Sequence, residues 1–488
     1  MKTKETRPVR NATLLEVAIM VGFMVLALAI GNGVYRFNAR LMLAGCVFVD
    51  MIIAKRCGRT WKGVMSSVGG KIGGQTNLMF LLLGLGFLMS AWVYSGTVPV
   101  IAAWLVKIIN PKFTLVLTFL FGWVISFIVG SNFTTGGTIC LVMFNVAMVQ
   151  GLPAPVAAGA AVCGATAGSF ISPVYWVPVM MSGLCGYDPK DSTKQMMPPV
   201  FLATALTAII FLVLGLFYTN NMDAAAVTAQ VEEFTTAVYN YFNPSILILI
   251  PVLIVLVGSI INIESNIVIY GSAVSAVILG MLLNGFSFKT AMDIAWNGFT
   301  SKVLGDDVPA ILATMVKLGG MNSLTSGIIF IILSLICAGT LSYLGAFELL
   351  KGTFEKKKTV GSLNLAAALY TMLVTLVTCD VSPTFAITAE SLPKYYAKLG
   401  VSPKKVLDVS QCNSRFLTSL IPWSYNAVYM ATLYSLTVWD YLPWAFFFPL
   451  VAISQIALTF FNVGVTKVTR EEAERFGVNY DEIPGIAE

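Results

Sequence analysis

Apolar runs of nearly membrane-spanning length recur along the chain, among them Leu14–Ile30, Phe201–Phe217, Ile246–Ile261 and Ile328–Ile336 with its flanks. Each approaches the roughly 20 residues a helix needs to cross a hydrocarbon core. The longest polar stretches are the two termini and a stretch near Asn220 to Asn243. The pattern predicts an all-α polytopic membrane protein of about 10–14 membrane segments.

Several runs are interrupted where a packed membrane helix would be smoothly apolar. GSNFTTGGTIC (Gly130–Cys140) is followed by GATAGSFISPVYW (Gly164–Trp176), and TCDVSPTFAIT (Thr378–Thr388) by CNSRFLTSLIPWSYN (Cys412–Asn426). Gly136, Gly137, Pro173, Pro383 and Pro422 are the expected break points. Backbone groups freed by a break at membrane depth must be satisfied by neighbours or by a cavity, so such breaks point to a binding site.

The two interrupted regions are related. A shift of 249 residues lays Gly151 on Gly400, Cys163 on Cys412 and Pro173 on Pro422, and WKGVMSSV from Trp61 resembles WNGFTSKV from Trp296. The order implies two repeats with broken or re-entrant helices.

Composition strengthens the membrane reading, with 57% hydrophobic and 11% charged residues and a mean hydropathy of +0.82. The net charge of +6 comes from Lys and Arg in short loops and at the termini, where membrane topology accounts for them; nucleic-acid binding has no support. Positive residues mark the N-terminus, KRCGRTWK (Lys55–Lys62), KGTFEKKK (Lys351–Lys358) and KYYAKLGVSPKK (Lys394–Lys405) as cytoplasmic. The stretch from Asn220 to Asn243 has no Lys or Arg and belongs outside. The neutral tip QGLPAP of one repeat answers to the basic KLGVSPKK of the other, as inverted halves require.

These signs divide the chain into residues 1–220 as a first transmembrane repeat and 221–244 as an extracellular linker. Residues 245–465 form a second, inverted repeat and 466–488 a cytoplasmic tail. The first apolar run is long and lacks a small-residue cleavage site, so it is expected to be the first membrane helix rather than a signal peptide. Both termini are expected in the cytoplasm of a multi-pass plasma-membrane protein.

Candidate chemistry concentrates in the breaks. Ser131, Asn132, Thr134, Thr135, Ser382, Thr384, Asn413, Ser414, Thr418 and Ser419 offer neutral oxygens of the kind that coordinate sodium beside unwound backbone. Asp380 and Arg415 are charges at bilayer depth, which by default mark a functional path. Asp380 suits sodium, a proton or a substrate ammonium, and Arg415 a substrate carboxylate; a structural ion pair between them is the alternative. Tyr175, Trp176, Trp423 and Tyr425 follow the two prolines and are expected to wall a pocket, unless they anchor at the interface. Asp50 and Glu264 sit near helix ends, while Glu390 and Asp408 balance the basic tip.

Other chemistry is excluded or unsupported. There is no histidine, hence no histidine relay or histidine-held metal, and no GxxxxGK[ST] motif for an ATP-driven pump. The eight cysteines are scattered, most of them inside apolar segments, without metal or disulfide spacing. No cofactor is expected beyond sodium or a proton as coupling ion. The expected partners are the lipid bilayer and a small organic solute, with a homodimer as an allowed assembly.

At these residues the chain resembles the NhaC-type sodium/proton antiporters of the ion-transporter superfamily. GSNFTTGGTIC resembles that family's broken helix, GLPAPVAAGAAVCGATAGSFISP the block after it, and TSLIPWSYNAVYM with DYLPWAFFFPL its C-terminal signature. The resemblance covers most of the chain and implies an inverted-repeat transporter with hairpin-like broken helices, an elevator-type displacement and a prokaryotic plasma membrane. Some members carry carboxylates or amino acids. Where typical members have acids, this chain has Ser169, Trp176 and Cys412, and Arg415 replaces a small polar residue. The expectation is therefore a secondary active transporter of a small organic solute, an amino acid or carboxylate, coupled to sodium or protons and without enzymatic activity. The alternatives are a sodium/proton antiporter using Asp380 and, outside transport, a channel or membrane scaffold.

Overall fold

The computed structural model describes residues 9–483 except 36, 221, 262, 346–353, 355–356, 379 and 423, with the side chains of 33, 71, 377 and 425 also outside the described set. The first half contains α1 (Leu14–Leu26), α2 (Ala39–Arg56), α3 (Trp61–Gly74), α4 (Thr76–Tyr94), α5 (Thr97–Ile108), α6 (Pro111–Val129), α7 (Asn132–Gly137), α8 (Ile139–Val149), α9 (Ala154–Ala167), α10 (Trp176–Cys185) and α11 (Pro189–Asn220). After α12 (Ala224–Tyr241) come α13 (Ile250–Ile260), α14 (Ser265–Asn284), α15 (Phe288–Asn297), α16 (Ala310–Val316), α17 (Met321–Tyr343), α18 (Val360–Thr378) and α19 (Val381–Ser391). The chain closes with α20 (Pro393–Lys398), α21 (Lys405–Leu420), α22 (Tyr425–Leu433), α23 (Val438–Tyr441), α24 (Phe447–Phe460) and α25 (Arg470–Arg475).

This is an all-α polytopic membrane protein. Among the described residues seven helices are long and apolar enough to cross a membrane, or up to nine if each bent pair counts as one span. The remaining segments expected from sequence are the shorter apolar helices, α5, α9, α10 and α18 among them, whose lengths are cut by the breaks. At 1.5 Å per residue α11 alone reaches about 48 Å, more than a hydrocarbon core.

The 249-residue shift has a structural counterpart. It carries both ends of α6 onto both ends of α18, the first residue of α7 onto that of α19, and the start of α10 onto that of α22. Ser131 and Asp380 are equivalent under it, and both are extended N-cap residues. Ser131 accepts from Thr134 N at 3.2 Å, and Asp380 from Ser382 N at 3.1 Å. The octapeptides at Trp61 and Trp296 do not correspond in this way. The first opens α3, whereas the second straddles the end of α15, where Gly298 has φ +87°.

The breaks fall beside the expected residues more often than on them. Gly130, left-handed at φ +64°, ends α6, and a Cβ there would lie 2.6 Å from the Val174 side chain. Gly136 and Gly137 close α7, with the kink at Thr138. Pro173 and Pro422 lie between helices. Pro383 instead sits in the first turn of α19, where its missing N–H leaves no bond unmade.

Small residues on α9 and at its C-cap bring it against α6. A Cβ on Gly164 would lie 2.5 Å from Phe119 O, and one on Gly168 only 2.0 Å from Trp123 O. Such small-residue contacts are how membrane helices gain close packing without a hydrophobic driving force between them. The polar linker expected at 221–244 is largely helical. Asp223 caps α12 through Ala225 N at 2.9 Å, and the helix buries Phe234 and Val238.

Candidate functional site

A cavity of about 590 Å³ opens where four breaks converge, those between α3 and α4, α6 and α7, α9 and α10, and α18 and α19. Gln75, Asn77, Ser131, Thr378, Asp380 and Ser382 supply its polar wall, and Leu78, Phe133, Trp176 and Leu335 are among its apolar residues. Asp380 is the one charged side chain among the described lining residues. Its Oδ1 accepts from Ser382 N at 3.1 Å and Ser382 Oγ at 3.4 Å, and its Oδ2 from Gln75 Nε2 at 3.0 Å. A carboxylate on a helix cap, held by neutral donors on the polar wall of a largely apolar cavity, is equipped to meet a cation.

Arg415 lies behind one wall of that cavity. A pocket of about 20 Å³, room for a single water, is lined by Asn132, Thr166, Tyr175, Trp176, Arg415, Thr418, Ser419 and Asn426 among others. Arg415 donates to Ser169 Oγ at 2.5 Å and Ser169 O at 3.3 Å, and its guanidinium carbon lies 3.6 Å from the Phe170 ring centre and 5.0 Å from that of Tyr175. Stacking and two anchored donors preorganise the group. Among the described residues the two charges thus hydrogen-bond to different partners, with Tyr175 and Trp176 lining both volumes.

Asn132 ties the pocket together, its Nδ2 donating to Asn426 Oδ1 at 2.9 Å and its Oδ1 accepting from Tyr175 OH at 3.0 Å. Asn426 Nδ2 donates in turn to Ser419 Oγ at 3.0 Å. The structure therefore gathers Ser131, Asp380, Ser382, Tyr175 and Trp176 at the cavity, and Asn132, Arg415, Thr418 and Ser419 at the adjoining pocket.

Five predicted residues line neither volume. Thr134 and Thr135 point into packing around α7, where Thr135 Oγ1 bonds back to Ser131 O at 2.8 Å. Thr384 Oγ1 turns to Asp380 O at 2.9 Å. Asn413 faces Gln455 at 3.3 Å and Val409 O at 2.8 Å, and Ser414 is fully buried. The physical reason is helical rotation, because neighbours on one helix point to different faces and one face alone meets the cavity. Trp423 and the Tyr425 side chain lie outside the described residues.

Sequence reasoning missed Gln75, Asn77 and Asn426. The signal for the first two is GGQTN, small and amide residues inside an otherwise apolar stretch. Asn426 follows the Pro422 break directly. Among the described residues no group of three or more His, Cys, Asp or Glu forms a metal-binding cluster, so a cation here would rest on Asp380 and neutral oxygens.

A model of the Na+/H+ antiporter family matches residues 179–463. The malate-2H(+)/Na(+)-lactate antiporter of Bacillus subtilis is 27% identical over 476 residues, covering 96% of this chain and 100% of that protein. The Na(+)/H(+) antiporter NhaC of Alkalihalophilus pseudofirmus is 26% identical over 462 residues, 94% and 98% of the two chains. The arginine/ornithine antiporter ArcD of Halobacterium salinarum is 26% identical over 448 residues, 91% and 90%. With its helices broken around one charged cavity and more than half of its length matched by that model, the chain belongs to the Na+/H+ antiporter family.

Proposed function

We propose that the chain exchanges a small organic solute bearing a carboxylate, an amino acid or a simple carboxylate, in antiport coupled to sodium or protons. The observation that carries this reading is the placement of opposite charges on the two sides of the Tyr175 and Trp176 wall, Asp380 at the open cavity and Arg415 in the pocket behind it. Asp380 takes the cationic partner, whether sodium, a proton or a substrate ammonium, with Ser131, Thr378 and Ser382 oxygens at hand. Arg415 takes the carboxylate bidentately, which requires the Tyr175 ring to yield because the pocket holds no more than a water. Relatives named for malate and lactate and for arginine and ornithine support an organic solute.

The test is counterflow in proteoliposomes. Vesicles loaded with unlabelled amino acids or carboxylates are given labelled solute under a sodium gradient, a proton gradient or neither. Uptake that ignores both gradients sinks the coupling, and uptake unaltered in Arg415→Gln removes that residue from the solute site.

The second reading, sodium/proton exchange with Asp380 as the titrating acid, is favoured by Asp380 being the lone charge among the described cavity residues. A pH-sensitive dye in sodium-pulsed vesicles without organic solute separates the two. Proton flux that is lost in Asp380→Asn selects this reading.

A further inference from the structure

We propose that a second cavity, of about 480 Å³, is the vestibule on the opposite face of the transport path and that Arg40 makes it selective for anions. Its ligand is the carboxylate of a small organic solute, so the assignment rests on the organic-solute reading above.

The two cavities approach the same barrier from different sides. Along α17, Ser326 and Phe330 line the second cavity, whereas Leu335 and Ala338, further along the same helix, line the one that holds Asp380. Across the break between α21 and α22, Pro422 and Val428 line the second cavity, while Ser419 and Asn426 face the Arg415 pocket. Between them Phe330 and Ile421 are buried in one apolar cluster with Leu417 and Val428 packed against it. A plug of this kind, with water-sized space on either side, is what separates two half-channels.

The chemistry of the second cavity is set by one residue. Arg40 is the one charged side chain among its described lining residues. Its NH1 donates to Ser326 Oγ at 2.6 Å and its Nε to Asn38 Oδ1 at 3.1 Å, while NH2 makes no hydrogen bond to a described residue. Asn38 also caps α2 through Arg40 N at 3.0 Å, which fixes the root of the side chain. The rim is tied as well, since Trp439 Nε1 donates to Asn32 Oδ1 at 3.1 Å and Asn32 Nδ2 to Phe37 O at 2.7 Å. A guanidinium held at two nitrogens with its remaining edge toward solvent-sized space matches the planar fork of a carboxylate. One cavity carries a carboxylate and the other a guanidinium, so anions are concentrated on the Arg40 side alone. An anionic lipid headgroup offers related chemistry, and the test distinguishes the two sources.

Ala39→Cys places a thiol at the vestibule wall, and Thr437→Cys serves as a second reporter at the rim should the first fail to assemble. The described native cysteines are buried, and the unmodified protein gives the labelling background. In vesicles of neutral lipid, the reaction of an anionic sulfonate-bearing methanethiosulfonate is compared with that of its cationic ammonium counterpart. The expected result is a preference for the anionic reagent of about tenfold, erased by Arg40→Gln and largely kept by Arg40→Lys. Equal rates, or a preference that survives Arg40→Gln, overturn the proposal. Repeating the measurement with phosphatidylglycerol in the vesicles, each rate taken relative to the Arg40→Gln protein in the same vesicles so that the surface potential cancels, separates the sources: a preserved preference supports a solute vestibule, and its loss means that a headgroup fills the site and overturns the assignment. The labelling needs no transported solute, so its outcome is independent of whether counterflow is found.

Discussion

Gln75 Nε2 donates to Asp380 Oδ2 at 3.0 Å across 305 residues of sequence, joining the break between α3 and α4 to the cap of α19. The carboxylate does two jobs there, one structural and one chemical, and they separate by substitution. Asn caps a helix as well as Asp does, so Asp380→Asn is expected to keep the fold while removing the charge. Cation-coupled exchange should fall about tenfold or more, the equivalent of losing a charged contact of about 1.5–3 kcal/mol. Asp380→Ala adds the loss of the cap, about 1 kcal/mol, which a thermal-unfolding comparison of the two variants reads. Equal exchange in Asp380→Asn and the parent protein would remove Asp380 from the cation path.

Glycine at 168 is a steric requirement. A Cβ there would lie 2.0 Å from Trp123 O and 2.5 Å from Phe127 N, backbone atoms of α6 that cannot rotate away. Gly168→Ala must push α9 off α6 and is expected to cost about 1–3 kcal/mol or more, seen as a lower unfolding temperature and poor membrane yield. Gly183 in α10 is the control, because nothing lies within 4 Å of a Cβ built on it. Gly183→Ala should leave stability unchanged or raise it by up to about 1 kcal/mol.

The repeat could be read because Gly151 and Gly400 both take left-handed backbone and Pro173 and Pro422 both lie between helices, and the flanking helices keep the same register, as α6 and α18 do at both ends. Asp380, Arg415, Asn132 and Tyr175 could be singled out because polar groups among apolar neighbours are costly unless they serve something. The direction of each side chain could not. In α21 every residue from Lys405 to Arg415 is buried, so no exposed stripe marks which face meets the site or separates Asn413 and Ser414 from Thr418 and Ser419. Gln75 and Asn77 escaped because their break lies outside the repeated blocks, and a partner 305 residues away leaves no local trace.

The Lys405–Asp408 pair follows different energetics. Lys405 Nζ lies 2.7 Å from Asp408 Oδ2 with each side chain 2% exposed, and Gln455 Nε2 approaches Asp408 Oδ1 at 3.4 Å while also donating to Asn364 Oδ1 at 3.1 Å. Removing one charge strands the other in a medium that cannot solvate it. Asp408→Asn or Lys405→Met alone is therefore expected to cost about 3–5 kcal/mol, and the double replacement Lys405→Met with Asp408→Leu much less. Thermal unfolding of the three variants in one detergent tests this. Additive losses in the double variant would show that the two side chains act independently.

The tail bears on the site through the end of α10. Arg475 NH1 donates to Gly186 O at 2.8 Å and NH2 to Cys185 O at 2.7 Å, so α25 grips the terminus of the helix whose first residue, Trp176, lines the cavity. On its other side Glu472 Oε1 accepts from Ser402 Oγ at 2.8 Å and Tyr187 OH at 3.1 Å, and Val468 N reaches Gly400 O at 3.1 Å. Burial, and then the Glu472 carboxylate, raise the Tyr187 phenol above its ordinary value, so it stays a neutral donor through the physiological range. The tail thus ties the loop after α10 to the basic tip before α21. Arg475→Ala removes two charge-assisted bonds to carbonyls that are partly exposed, which limits the loss of global stability to about 1 kcal/mol. The local effect should be larger. Hydrogen–deuterium exchange of residues 185–188 is expected to rise well above that of the parent protein, while exchange within α6 and α9 stays unchanged. An unaltered rate at residues 185–188 would mean that the loop holds its conformation without the tail.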